Sequence, residues 1–156
     1  MRSAVYLEPI LDELPPSIKT LRAEAVGEGY RFLERLVAEW ISHETRFDRE
    51  GEALLAAYVA GELVGIGGVT VDPALMGVLR MRRFYIHPLW RRHGIGRRLA
   101  LSLLGRVECE NRMVTVNAGT AEAPAFWEAL GFMLDRHDGH THVFDPQNGN
   151  VPTVSF

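Results

Sequence analysis

The run RRFYIHPLWRRHGIGRRL, Arg82 to Leu99, limits the fold more than any other part of the chain. Its first half has the composition of a buried strand, and Pro88 ends it. Gly94-Ile95-Gly96 then opens a helix whose apolar positions Ile95, Leu99, Ala100, Leu103, Leu104 and Val107 share one face. A strand passed through a glycine turn into an amphipathic helix demands a mixed α/β architecture.

The flanking segments extend the pattern. AVYLEPI (4–10) reads as a first strand. Residues 17–43 have a helical period with stripes Ile18, Leu21, Ala25, Val26 and Phe32, Leu33, Leu36, Val37, Trp40, Ile41, divided at Gly27 and Gly29. ALLAAYV (53–59) and LVGIGGVTV (63–71) flank a turn at Ala60-Gly61-Glu62, a hairpin signature. Further strands follow at 78–87, 113–118 and in a pair around Asp138-Gly139, with a short helix at 122–130. The order β-α-α-β-β-β-α-β-α-β-β implies a mixed sheet with helices on both faces, in one domain over 1–145 with a tail at 146–156.

Charge narrows the ligand. Residues 80–98 hold seven arginines and no acid, so against a whole-chain net charge of −3 the remainder stands at −10. One cationic patch on an acidic body suits a small anionic ligand and argues against nucleic acid as a partner. No apolar run reaches the ~20 residues that a membrane span needs. The opening MRSAVYLEPILDELPP places acids and prolines where a signal peptide needs an apolar block, so a cytoplasmic location is expected. Cys109 is the only cysteine, which excludes an intrachain disulfide and a Cys-based zinc site. It is read as a packing residue. His137, His140 and His142 are read as surface strand residues with no carboxylate or thiol spacing to complete a metal site, so no metal is expected.

The chemistry concentrates at the glycine turn. A helix start leaves about four N–H groups without intrahelical partners and carries partial positive charge, which favours phosphate. Gly94 and Gly96 let a ligand approach that backbone, and Arg91, Arg92, Arg97 and Arg98 add charge. An isolated Gly-x-Gly is a weak signal, since a solvated turn produces it too. The Walker pattern fails because Arg97-Arg98 follow Gly96, and the Rossmann pattern fails at Leu99.

The wider context resembles the GNAT acetyltransferase superfamily. FYIHPLWRRHGIGRRL is similar to that family's motif A through Ile86, Pro88, Arg91, Gly94 and Gly96. NAGTAEAPAFWEALGF is similar to its next motif through Asn117, Phe126, Trp127, Leu130, Gly131 and Phe132. The resemblance covers residues 53–144 well and 4–52 in outline. It implies a GNAT fold: a mixed, mostly antiparallel sheet of six to seven strands, helices on both faces, and splayed central strands. It also implies acetyl-CoA as co-substrate. Main chain at Arg92, His93, Gly94, Ile95, Gly96 and Arg97 would cradle the pyrophosphate. Phe84, Tyr85 and Ile86 would bind pantetheine as an added strand. The Ile86 amide would bond the thioester carbonyl, with Asn117, Phe126 and Trp127 along the arm.

Two departures touch the catalytic step. Many members carry Tyr where this chain has Trp127, and an indole cannot act as a general acid. Many carry Glu where this chain has Arg80. The candidates to take a proton from an ammonium substrate are Glu44, Glu39, Asp48, His43 and His87, with Glu44 preferred because the loop after the second helix lines the acceptor side in this fold. Tyr85 and Tyr58 stand as acids, channel walls or strand aromatics. The implied function is an N-acyltransferase moving acetyl from acetyl-CoA to a primary amine, on a small molecule or protein, by direct attack in a ternary complex. The alternative is a non-catalytic acyl-CoA-binding or sensing module, and a blander one is a nucleotide-binding domain. Homodimers are common in the superfamily, which leaves that state open.

Overall fold

A computed structural model describes residues 4–108 and 111–147; Cys109 and residues 148–156 of the tail lie outside the described residues. The elements are β1 (Val5–Pro9), α1 (Ile18–Gly27), α2 (Phe32–Ile41), β2 (Ala53–Val59), β3 (Glu62–Val71), β4 (Leu79–Ile86), α3 (Ile95–Glu108), β5 (Val114–Val116), α4 (Ala123–Ala129), β6 (Met133–His137) and β7 (His140–Phe144). A single 3₁₀ turn, Pro88–Trp90, joins β4 to α3. The order matches the expectation from periodicity.

One seven-stranded sheet runs β1-β2-β3-β4-β5-β7-β6. Every neighbouring pair is antiparallel except β4 and β5, which are parallel. The β2–β3 hairpin closes with Ala60 at φ 49° and Gly61 at φ 81°, the double left-handed turn that matches strand twist. α1 and α2 cover one face, where Leu21, Leu33, Leu36 and Trp40 pack on Leu54 and Ile66. α3 and α4 cover the other, where Leu99, Leu103, Val107 and Trp127 meet Leu79 and Phe144. The α3 stripe is buried as its spacing predicts. Ile41 is not: it is 71% exposed, since one residue beyond Trp40 turns it about 100° off the buried stripe. No helix among the described residues is long and apolar enough to cross a membrane.

Two features of the central strands position the site. β4 carries one extra residue opposite Gly67, and Arg83 takes φ 63° at this bulge. The glycines of β3 clear space for the side chains of β4. A Cβ on Gly65 would lie 2.6 Å from Ile86 Cδ1, and one on Gly67 would lie 2.7 Å from the Phe84 ring. The ring cannot swing aside freely, for it packs edge-on against Trp127 at 4.9 Å between centroids. Gly67→Ala is therefore expected to destabilise the protein by about 1–3 kcal/mol, as overpacked cores do. Adding Phe84→Leu should return part of the loss, read from urea unfolding of both variants.

Candidate active site

The site begins where two strands part. β5 pairs with β4 only at Leu79↔Val114 and Arg80↔Thr115. Past Arg80, β4 runs on to Ile86 with β3 as its only strand neighbour among the described residues. The His87 amide donates to Val64 O at 2.8 Å. Antiparallel alternation then makes Gly65↔Ile86 a pair without mutual hydrogen bonds, so the Ile86 N–H and C=O point away from β3. Arg91 confirms the direction on the carbonyl side, its Nε donating to Ile86 O at 3.0 Å. The Ile86 amide thus faces the gap between β4 and β5.

The gap leads into the start of α3. Arg92 at φ 65° and Gly94 at φ 78° turn the chain so that successive amides line one concavity. The helix takes up its first bond at Arg98 N to Gly94 O, 3.0 Å, so the amides of Ile95, Gly96 and Arg97 are the orphan donors of a helix start. A Cβ on Gly94 would meet nothing within 4 Å, so this glycine borders open space. Gly96 lies under the Phe126 ring, about 3.5 Å from where its Cβ would be. His93 is fixed by its Nδ1 to Arg91 O at 2.8 Å and by its ring against Trp90.

Aromatic side chains wall the same region. Trp127 is buried and stands edge-on to Phe84, Phe126 and Phe132, with centroids 4.9–5.1 Å apart. Pro124 in the first turn of α4 helps set its short helix. Asn117 is exposed directly after β5.

Arg91 has a second partner that the sequence does not suggest. Its Nη1 and Nη2 grip the Glu28 carboxylate at 2.8 and 2.6 Å, and the Tyr85 hydroxyl donates to the same carboxylate. The Arg91 fork holds the Glu28 pKa below the usual carboxylate value; burial opposes this and the Tyr85 bond assists. Burial, and then the Glu28 bond, push the Tyr85 pKa well above that of a free phenol, which makes it a poor proton donor. Arg91 therefore presents main chain to the α3 turn while its guanidinium ties the turn to the end of α1.

On the α2 side lies a cleft of about 410 Å³. It brings together Glu39 from α2, His43, Glu44 and Asp48 from the loop after it, and Arg82 from β4. Glu39 is tied to Arg83 at 2.6 Å, whereas Glu44 is exposed. Burial, then the nearby Arg83 charge, pull the Arg82 pKa below the usual guanidinium value, opposed by Glu39. His87 stands outside this cleft, its Nδ1 accepting from Leu89 N at 3.2 Å. Tyr58 sits on β2 opposite Tyr6, two strands from the β4 edge. Arg80 faces Asp72. Burial raises the pKa of that carboxylate, but the Thr115 hydroxyl, the Ala74 and Leu75 amides and Arg80 outweigh it and leave it lowered.

The histidines correct the sequence reading. His140 and His142 are buried, not on the surface, because β7 lies between β5 and β6 and not at an edge. His142 bonds Glu128 on α4 at 2.9 Å. Asp135 supplies the carboxylate that the spacing did not reveal.

Comparison with known proteins follows the geometry. Residues 19–142 match the family model described as an acetyltransferase (GNAT) domain. The chain is 31% identical over 135 residues to tRNA(Met) cytidine acetyltransferase TmcA of Citrobacter koseri; the match takes in 77% of this chain but spans only 20% of that relative. Among solved structures, a candidate acetyltransferase from Exiguobacterium sp. 255-15 superposes with TM-score 0.82 at 24% identity, covering 92% of this chain and 95% of the other. PaiA N-acetyltransferase from Thermoplasma acidophilum, in complex with coenzyme A, gives 0.60 at 16% identity, covering 90% and 96%.

The Glu28–Arg91 pair gives a pH signature. A carboxylate whose folded pKa lies below its unfolded value of about 4.3 adds stability above that value and loses it as pH falls through the folded pKa. Glu28→Gln should cost about 0.5–1 kcal/mol at pH 7, a modest figure because the pair is partly exposed. Thermal melts should show the difference from wild type shrinking toward zero below pH 4.

Proposed function

The chain belongs to the GNAT acetyltransferase family, and from that footing we propose that it moves an acetyl group from acetyl-CoA to an amine by direct attack in a ternary complex. One observation carries this reading: the free β4 edge runs straight into the orphan amides of α3. Pantetheine, an amide-rich arm, fits an unpaired strand edge. Pyrophosphate fits the Arg92–Arg97 amides. Bound acetyl-CoA supplies an activated acyl thioester. Open space at Gly94 leaves room for the phosphates, so these residues suit the group.

The protein's own groups then divide the work. The Ile86 amide, directed into the gap, donates to the thioester oxygen as it gains negative charge. Phe84, Phe126 and Trp127 exclude water along the arm. The acceptor enters from the cleft that holds Glu44 and Arg82. Glu44 takes the ammonium proton, directly or through a water, and the freed amine attacks the carbonyl carbon. As the tetrahedral intermediate collapses, the nitrogen sheds its second proton to water, the C–S bond breaks and CoA leaves as thiolate. The thiolate takes a proton from solvent because the Trp127 indole N–H is not acidic enough to give one. The acidic body of the chain outside residues 80–98 favours a cationic amine.

The direct test follows CoA thiol release with acetyl-CoA and a panel of amines, cytidine-containing RNA included. Turnover with at least one amine is expected; acetylation of RNA alone would replace the amine acceptor. Trp127 and Arg80 support a second reading, a binding module without turnover. Under it acetyl-CoA raises the melting temperature but no member of the panel releases thiol.

Two variants separate donor from acceptor roles. Gly94→Asp places a carboxylate beside the phosphates. Its Cβ meets nothing within 4 Å but φ 78° strains it, so Gly94→Asn, equally strained and uncharged, is the control. Acetyl-CoA affinity by calorimetry should fall at least about tenfold, or ~1.4 kcal/mol, in a folded protein. Glu44→Gln should lower kcat by about 10²-fold with acetyl-CoA affinity unchanged.

A further inference from the structure

His140 carries an unmet demand. Its Nε2 is buried and has no hydrogen-bond partner among the described residues. A group left so forfeits the hydrogen bonds it makes to water in the unfolded chain. The nearest charged group, Asp135 Oδ2, stands 3.6 Å away, too far for a hydrogen bond. The other oxygen of that carboxylate lies 3.1 Å from His137 Nε2. One ligand atom from each of Asp135, His137 and His140 lies within 4.8 Å of the others. Ligands on a tetrahedral ion with bonds of about 2.0–2.2 Å are spaced by about 3.3–3.6 Å. The 3.1 and 3.6 Å separations run to different carboxylate oxygens, and a small rotation of the exposed Asp135 side chain would set one oxygen at that spacing from both imidazoles.

A local irregularity builds this arrangement. Leu134 pairs with His142, but His137, not Arg136, pairs with His140, so β6 holds one extra residue between them. In unbroken register Arg136 would face His140 and His137 would point to the other side of the sheet. The bulge brings the two imidazoles together, with ring centroids 5.3 Å apart. The Asp138-Gly139 turn, with Gly139 at φ 94°, closes the hairpin beside them.

We propose that the β6–β7 hairpin binds one divalent first-row transition-metal cation through Asp135, His137 and His140. Two imidazoles and a carboxylate suit zinc and its neighbours in the series and not magnesium or calcium, which take oxygen ligands. Three protein ligands leave a fourth position for water or for a group from another molecule. The ion would pair the buried His140 nitrogen and pin the outer strand β6 to β7. The site stands apart from the β4 edge and does not depend on acetyl transfer.

The test uses the whole protein, stripped of metal and titrated with zinc chloride against a chromophoric chelator. One equivalent is expected to bind and to raise the melting temperature. His137→Ala and Asp135→Asn alter exposed side chains, 65% and 49% accessible, so both should fold. Each should weaken zinc by on the order of 100-fold, since even outer-shell losses cost tenfold or more. His43→Ala, an exposed imidazole elsewhere, should leave uptake unchanged. Absence of stoichiometric uptake, uptake unaltered in both hairpin variants, or an equal loss in His43→Ala would each overturn the site. None of these readouts involves acetyl transfer, so a failure here is distinct from a failure of the acetyltransferase reading.

Discussion

Beyond Arg80, β4 has a strand partner on one side only among the described residues, and the rest of the molecule is arranged around that half-paired strand. A peptide edge inside a sheet is costly to leave dry, because each unpaired N–H or C=O forfeits its water. The chain responds in two ways. Arg91 closes one position by donating to Ile86 O. The remaining edge stays open to a ligand that carries amides of its own. The short β5, which ends at Val116, leaves the gap in which the proposed pantetheine contact lies.

The close fit of β3 to β4 holds that edge in place on both sides of its bulge. Gly65, Gly67 and Gly68 lack side chains where Ile86, Phe84 and Phe47 need the volume. Large residues on β4 and Phe47 can then press into the β3 surface, and Phe84 can reach the Trp127 cluster on the far helix. Packing on one side of the strand and chemistry on the other are set by the same residues.

Much of this was legible in the sequence. Element order followed from period, and the α3 stripe followed from spacing alone, because apolar residues every three to four positions have one way to be buried. The glycine turn was legible because helix starts and phosphates share a physical logic. The Glu28–Arg91 pair was not, since 63 residues separate the partners and the setting of Arg91 beside the glycine turn points to an anionic ligand and not to a carboxylate on α1. The burial of His140 and His142 was hidden for a related reason: it depends on β7 inserting between β5 and β6, a fact of topology that no local pattern encodes. The cleft shows the middle case. Glu44, Glu39, Asp48, His43 and His87 are candidates for one proton-accepting role, with a loop position favouring Glu44; the fold gathers all but His87 in one cleft and adds Arg82.

The bulge at Arg83 acts as a phase reset on a strand of period two. Before it, odd-numbered Leu79 and Met81 face α3; after it, even-numbered Phe84 and Ile86 do, and Tyr85 turns to the opposite layer. If the extra residue were kept without the bulge, parity would run unbroken and send Phe84 and Ile86 toward α1 and Tyr85 toward α3. Deleting Arg83 itself would leave those three on their present sides, whereas an insertion or deletion elsewhere in the strand would turn the residues on one side of it to the wrong layer. Position along this eight-residue strand is a constraint as strict as composition.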